Sequence, residues 1–128
     1  MKPKPHIGLH HVALYVKNFD ACAHFYTDIL GMQVMWKPDA DNLYLTSGND
    51  NLALHRAPVD FAPAKHQHLD HLGFFLNAKE DVDQWHDYLL ANNVTIKATP
   101  KDHRDGTRST YCADPDGNLV QLIYYPLN

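Results

Sequence analysis

His11-Val12-Ala13-Leu14-Tyr15-Val16 returns, sixty positions further on, as His71-Leu72-Gly73-Phe74-Phe75-Leu76. In each stretch alternate residues fall on opposite sides of an extended chain, so His11, Ala13 and Tyr15 share one face and Val12, Leu14 and Val16 the other. The offset of sixty continues without a gap through Cys22 and Val82, Phe25 and Trp85, Ile29 and Leu89, Leu30 and Leu90, and Val34 and Val94. The chain therefore contains two copies of one unit. After each strand, apolar residues recur at i, i+3, i+7 and i+8 (Cys22, Phe25, Ile29, Leu30; Val82, Trp85, Leu89, Leu90), which is one face of a helix. Asn18 is placed to cap the first helix and Gly31 to close it. Glu80, Asp81 and Asp83 suit the positive end of the second, which should stop at Asn92-Asn93.

Short strand-like pieces follow each helix: Gln33–Trp36, Leu43–Thr46 and Asn51–Arg56, then Thr95–Ala98, Ser109–Ala113 and Leu119–Tyr124. The last two pieces of each copy realign at an offset of sixty-seven, Tyr44 on Tyr111 and Asn51-Leu52 on Asn118-Leu119. That alignment sets Leu54 against Gln121 and predicts that His55 points away from the face of Tyr15. The extra residues of the second copy, around Pro100–Arg108, are expected to be loop. The order is β-α-β-β-β twice, an α+β arrangement of two tandem modules over about 7–58 and about 69–126, joined by a linker at about 59–68 in one domain spanning 1–128.

Composition narrows the function. The chain has 128 residues, 45% hydrophobic, with 11 Lys+Arg against 15 Asp+Glu and a formal charge of −4. A domain of this length buries enough surface to fold without staples. Scattered basic residues give no footprint for nucleic acid, and no apolar run is long enough to span a membrane or serve as a signal peptide. Cys22 and Cys112 lie far apart in the sequence without CxxC spacing, which predicts a reducing, cytoplasmic setting. No glycine-rich phosphate loop accompanies the aromatic residues Phe25, Trp36, Phe75 and Trp85, so no nucleotide cofactor is expected. Ten histidines against the single glutamate Glu80 direct the search for chemistry to imidazoles.

Three stretches, His11-Val12-Ala13-Leu14-Tyr15-Val16, Phe25-Tyr26-Thr27-Asp28-Ile29-Leu30-Gly31-Met32 and Asp114-Pro115-Asp116-Gly117-Asn118-Leu119-Val120-Gln121-Leu122, resemble the vicinal oxygen chelate superfamily. Its members include glyoxalase I, extradiol dioxygenases, and fosfomycin- and bleomycin-resistance proteins. The resemblance runs from about Leu9 to Pro126 and implies a cupped mixed sheet built by both modules, with a divalent metal (Fe, Mn, Zn or Ni) held by residues of the first and last strands. Carried over residue by residue, the implied ligands are His11, His71 and Gln121. Where the family usually has a glutamate this chain has Gln121, a neutral donor that weakens metal binding. Homodimers are common in the family and are expected here.

Tyr111 and His103 are the candidate catalytic residues, and Tyr15, Phe75 and Arg108 the candidate substrate contacts. Arg104 shares with His103 and Arg108 the capacity to meet an anion. The expected function is a metalloenzyme that chelates neighbouring oxygens of a small-molecule substrate, of dioxygenase, glyoxalase or lyase type. The alternative is a metal-free protein that binds or sequesters a small molecule. The string His66-Gln67-His68-Leu69-Asp70-His71 matches the HxHxDH spacing of metallo-β-lactamase-like hydrolases, but it runs into a strand the duplication already explains. His66 and His68 are assigned to the linker.

Overall fold

A computed structural model describes residues 2–126. The chain divides into two compact units, one ending at Val59 and one beginning at Asp60. The first contains β1 (Val12–Val16), α1 (Phe19–His24) with a π-helical turn running on through Phe25–Ile29, β2 (Gln33–Asp39), β3 (Asn42–Thr46) and β4 (Leu52–Arg56). The second repeats the order with β5 (Leu72–Leu76), α2 (Lys79–Ala91), β6 (Thr95–Asp102), β7 (Arg108–Ala113) and β8 (Leu119–Tyr124). Each unit forms its own four-stranded mixed sheet, in the order β1-β4-β3-β2 and β5-β8-β7-β6, so the α+β class read from the sequence holds.

In both units the first and last strands pair in parallel and the remaining neighbours are antiparallel. The parallel pair follows from the helix between the first and second strands, which carries the chain across the sheet. Alternation along β1 is as the residues dictate. Leu14 and Val16 are buried while Ala13 and Tyr15 are exposed, and Phe19, Cys22, Phe25 and Tyr26 complete the apolar layer. A fully buried leucine such as Leu54 or Leu89 contributes about 1.5–3 kcal/mol through the water it no longer orders.

Gly31 closes the first helical segment at φ +85°, a conformation that costs other residues a clash at Cβ. At the start of α2 the Asp81 carboxylate accepts the Ala78 N–H at 3.1 Å, and at its end Asn93 adopts φ 61°, the left-handed stop expected of asparagine.

Two sequence expectations need correction. Pro100–Asp102 is not loop but the end of β6, with Lys101 opposite Ser109 and Asp102 opposite Arg108. A register irregularity between Ala98 and Lys101 accommodates Pro100 and its missing N–H, as is usual on an edge strand. Only the tip between β6 and β7 remains loop. The second correction concerns register. Gly73 faces Gln121 on β8, whereas its counterpart Ala13 faces Ala53 on β4. Ala53, not Leu54, is thus the equivalent of Gln121. Leu54 is fully buried, and His55 lies opposite Tyr15 with its ring 6.4 Å from the Tyr15 ring, on the face it was expected to avoid. The shift lies in hairpin register: Tyr44 pairs with Ala53, nine positions on, whereas Tyr111 pairs with Gln121, ten positions on.

Candidate metal and substrate site of the second unit

His71 stands one residue before β5, and Gly73 and Phe75 continue its face along the strand. Gln121 on β8 lies opposite Gly73 and also opposite Tyr111 on β7, so three adjacent strands deliver these side chains to one surface. Gln121 is only 8% exposed. Its Nε2 donates to the Tyr111 hydroxyl oxygen at 2.9 Å, which turns Oε1 towards β5. A Cβ at position 73 would sit 3.3 Å from that Oε1, so glycine is what gives the amide oxygen its room. The Tyr111 oxygen spends a lone pair on the amide and keeps its own proton to donate elsewhere.

The His71 ring meets the Tyr111 ring edge-on at 5.5 Å, and its Nδ1 lies 2.6 Å from Asp70 Oδ1. A carboxylate on Nδ1 leaves Nε2 as the nitrogen available to a ligand. His71, Tyr111 and Gln121 line an open pocket of about 580 Å³ together with His103 and the exposed Lys101 and Arg104. His103 is held at Nε2, 2.8 Å from the Ser109 hydroxyl. Asp105, at the loop tip, accepts from the Thr107 N–H and hydroxyl, which lowers its carboxyl below the usual range.

The other candidates lie elsewhere. Arg108 is not among the residues lining the pocket. Its Nε and Nη2 donate to both oxygens of Asp83 on α2, at 3.1 and 2.8 Å, and its Nη1 to Asp102 on β6 at 3.1 Å. The hydrogen bonds from Arg108 hold Asp83 and Asp102 below the usual carboxylate range. Phe75 is 78% exposed and packs its ring 5.8 Å from that of Tyr125, which does line the pocket. His11 and Tyr15 belong to the first unit. There His11 is exposed with Nδ1 2.9 Å from His10 Nδ1, and the rings of Tyr15, His55, Tyr44 and Trp36 follow one another at 6.4, 5.8 and 5.2 Å.

Among the described residues no three His, Cys, Asp or Glu side chains form a group able to hold a metal ion. The donors in the pocket are an imidazole Nε2 and an amide oxygen, both of which fit a divalent ion in kind but contribute no charge. Sequence reasoning missed Asp70. The sign was available, since an acid directly before a strand histidine is well placed to take its Nδ1.

The Glyoxalase/Bleomycin resistance protein/Dioxygenase superfamily matches residues 8–122, and the chain belongs to that superfamily. It is similar to metallothiol transferase FosB of Staphylococcus epidermidis, with 30% identity over 117 residues, 90% of this chain and 80% of that protein. YqjT of Bacillus subtilis, an uncharacterized protein, is 26% identical over 132 residues, covering 90% of this chain and 97% of that one. Among solved structures, lactoylglutathione lyase from Agrobacterium tumefaciens superposes with a TM-score of 0.76 at 24% identity, covering 94% of this chain and 96% of that one, a likeness of fold.

Proposed function

We propose that the chain is a metal-dependent enzyme of small-molecule chemistry, with His71 through Nε2 and Gln121 through Oε1 as ligands. The observation that supports it best is the buried Gln121 amide, its nitrogen fixed by Tyr111 and its oxygen given space by Gly73, in a pocket that also holds His71. A divalent ion bound there supplies Lewis acidity to neighbouring oxygens of the substrate.

The residues of the chain do the rest. Lys101 and Arg104 attract an anionic substrate. Tyr111 donates its phenolic proton to a substrate oxygen as negative charge develops there. His103, held at Nε2 by Ser109, exchanges a proton through Nδ1. By similarity to the FosB metallothiol transferases, the reaction class to try first is metal-dependent transfer involving a thiol, with Lys101 and Arg104 favouring an anionic co-substrate. The proposal places the protein in the cytoplasm as a homodimer, a state checked by light scattering.

The test is metal content by mass spectrometry on untagged protein purified without chelator, beside a His71→Ala variant, followed by thiol-consumption assays with the metal found. Near-stoichiometric metal that is lost in the variant supports the proposal. Failure to load Fe, Mn, Ni or Zn overturns it and leaves metal-free ligand binding, the reading favoured by the neutral Gln121.

A further inference from the structure

The sixty-residue offset that superposes His11 on His71 also superposes His10 on Asp70. In each unit the residue directly before the strand histidine takes that histidine's Nδ1: His10 Nδ1 at 2.9 Å from His11, Asp70 Oδ1 at 2.6 Å from His71. Two units with different sequences thus arrive at one arrangement, and in both it is Nε2 that stays free of this contact. The two differ in what the neighbour can do. An imidazole at position 10 can donate or accept and leaves the His11 tautomer open. A carboxylate at position 70 only accepts, so in the neutral His71 ring Nδ1 carries the proton and Nε2 presents its lone pair.

We infer that Asp70 is a positioning residue that fixes the tautomer of His71 and supplies, from behind the imidazole, the negative charge that Gln121 does not bring to the site. The inference rests on the reading of His71 as a metal ligand. A carboxylate on the far nitrogen of a ligating histidine raises the basicity of the near one, and losing such a partner costs about 10- to 100-fold in metal affinity. Asp70 is 86% exposed and His71 34%, so the pair adds little to stability. Its effect belongs to the ring, not to the fold.

The experiment compares full-length wild type with Asp70→Asn, Asp70→Ala and Asp70→Glu. In metal-free, nitrogen-15-labelled protein at about pH 8.5, two units above the ordinary imidazole value, long-range proton–nitrogen correlation reports which nitrogen of His71 is protonated. Cobalt(II) titration then gives the affinity. Wild type should show Nδ1–H alone. Asp70→Asn, whose amide oxygen still accepts, should keep that tautomer but bind cobalt more weakly. Asp70→Ala should shift the ring towards Nε2–H and weaken cobalt about 10- to 100-fold, and Asp70→Glu should recover most of the loss. An unchanged tautomer in Asp70→Ala, or cobalt affinity within about twofold of wild type, overturns the inference while leaving His71 a ligand. Wild type that takes up no cobalt overturns the metal-binding reading itself, and the inference with it.

Discussion

The Gln121 amide nitrogen and the Tyr111 hydroxyl oxygen, on adjacent antiparallel strands and directly opposite in register, are joined by a 2.9 Å hydrogen bond. The direction of this bond decides which end of the amide faces β5. A donor from residue 121 is possible only because the residue is a glutamine. A glutamate there would accept from the tyrosine instead, and the phenolic proton would be spent inside the protein.

Gln121→Glu is therefore expected to tighten divalent metal binding on the order of tenfold or more, equivalent to about 1.4 kcal/mol, because a carboxylate adds charge to the donor set. The gain should come with a loss of any proton donation by Tyr111. Competition titration against a chromophoric chelator measures the first effect, and turnover at saturating metal the second.

Removing the phenol has a different cost. Tyr111→Phe leaves the Gln121 Nε2 without its acceptor in a residue 8% exposed, a penalty of about 1–3 kcal/mol. Urea unfolding should show a lower midpoint with an unchanged slope. Equal midpoints for variant and wild type would mean that water satisfies the amide.

The Arg108 fork ties α2 to the β6–β7 hairpin through Asp83 and Asp102. Both carboxyls are held below their unfolded values, so the stabilisation is present above the ordinary carboxylate range near pH 4 and is lost as pH falls through the lowered folded values. The melting temperature of Arg108→Ala should accordingly lie below that of wild type at neutral pH, and the difference should close on acidification. Because these side chains are substantially solvated, added salt should also reduce it.

Cys22 and Cys112 are both buried, and burial beside Asp114 pushes the Cys112 thiol up to about 12. Neither thiol should react with a disulfide reagent at about pH 8 until denaturant opens the core. Rapid labelling of native protein would contradict the packing around α1 and β7.

Much of the fold was legible because duplication wrote it twice. The paired histidines and the two helical faces surfaced from an offset of sixty, and the last strands from one of sixty-seven. The register of β4 did not, since alternation reports which residues share a face within a strand but is blind to which residue of the neighbouring strand each one meets. Leu54 and His55 exchanged faces for that reason. The end of β6 was hidden because Lys101 and Asp102 lie exposed at a sheet edge, where polar residues beside a proline read as loop. Within the pocket His71, His103, Tyr111 and Gln121 were each marked beforehand, whereas Arg108 looks like any basic residue near a loop until the chain brings Asp83 beside it.

The salt-bridged base of the β6–β7 hairpin has a practical consequence. Lys79 on α2 reaches Asp102 at 3.6 Å, and with Arg108 and Asp83 it pins both legs of the hairpin, whereas the tip from His103 to Thr107 forms one wall of the pocket. Asp102 belongs to both, and beyond it the wall and the anchorage are separate stretches of chain. The tip behaves as a replaceable cassette on a fixed mount, where diversification by nature or by a library can change what the cavity admits without renegotiating the scaffold beneath it.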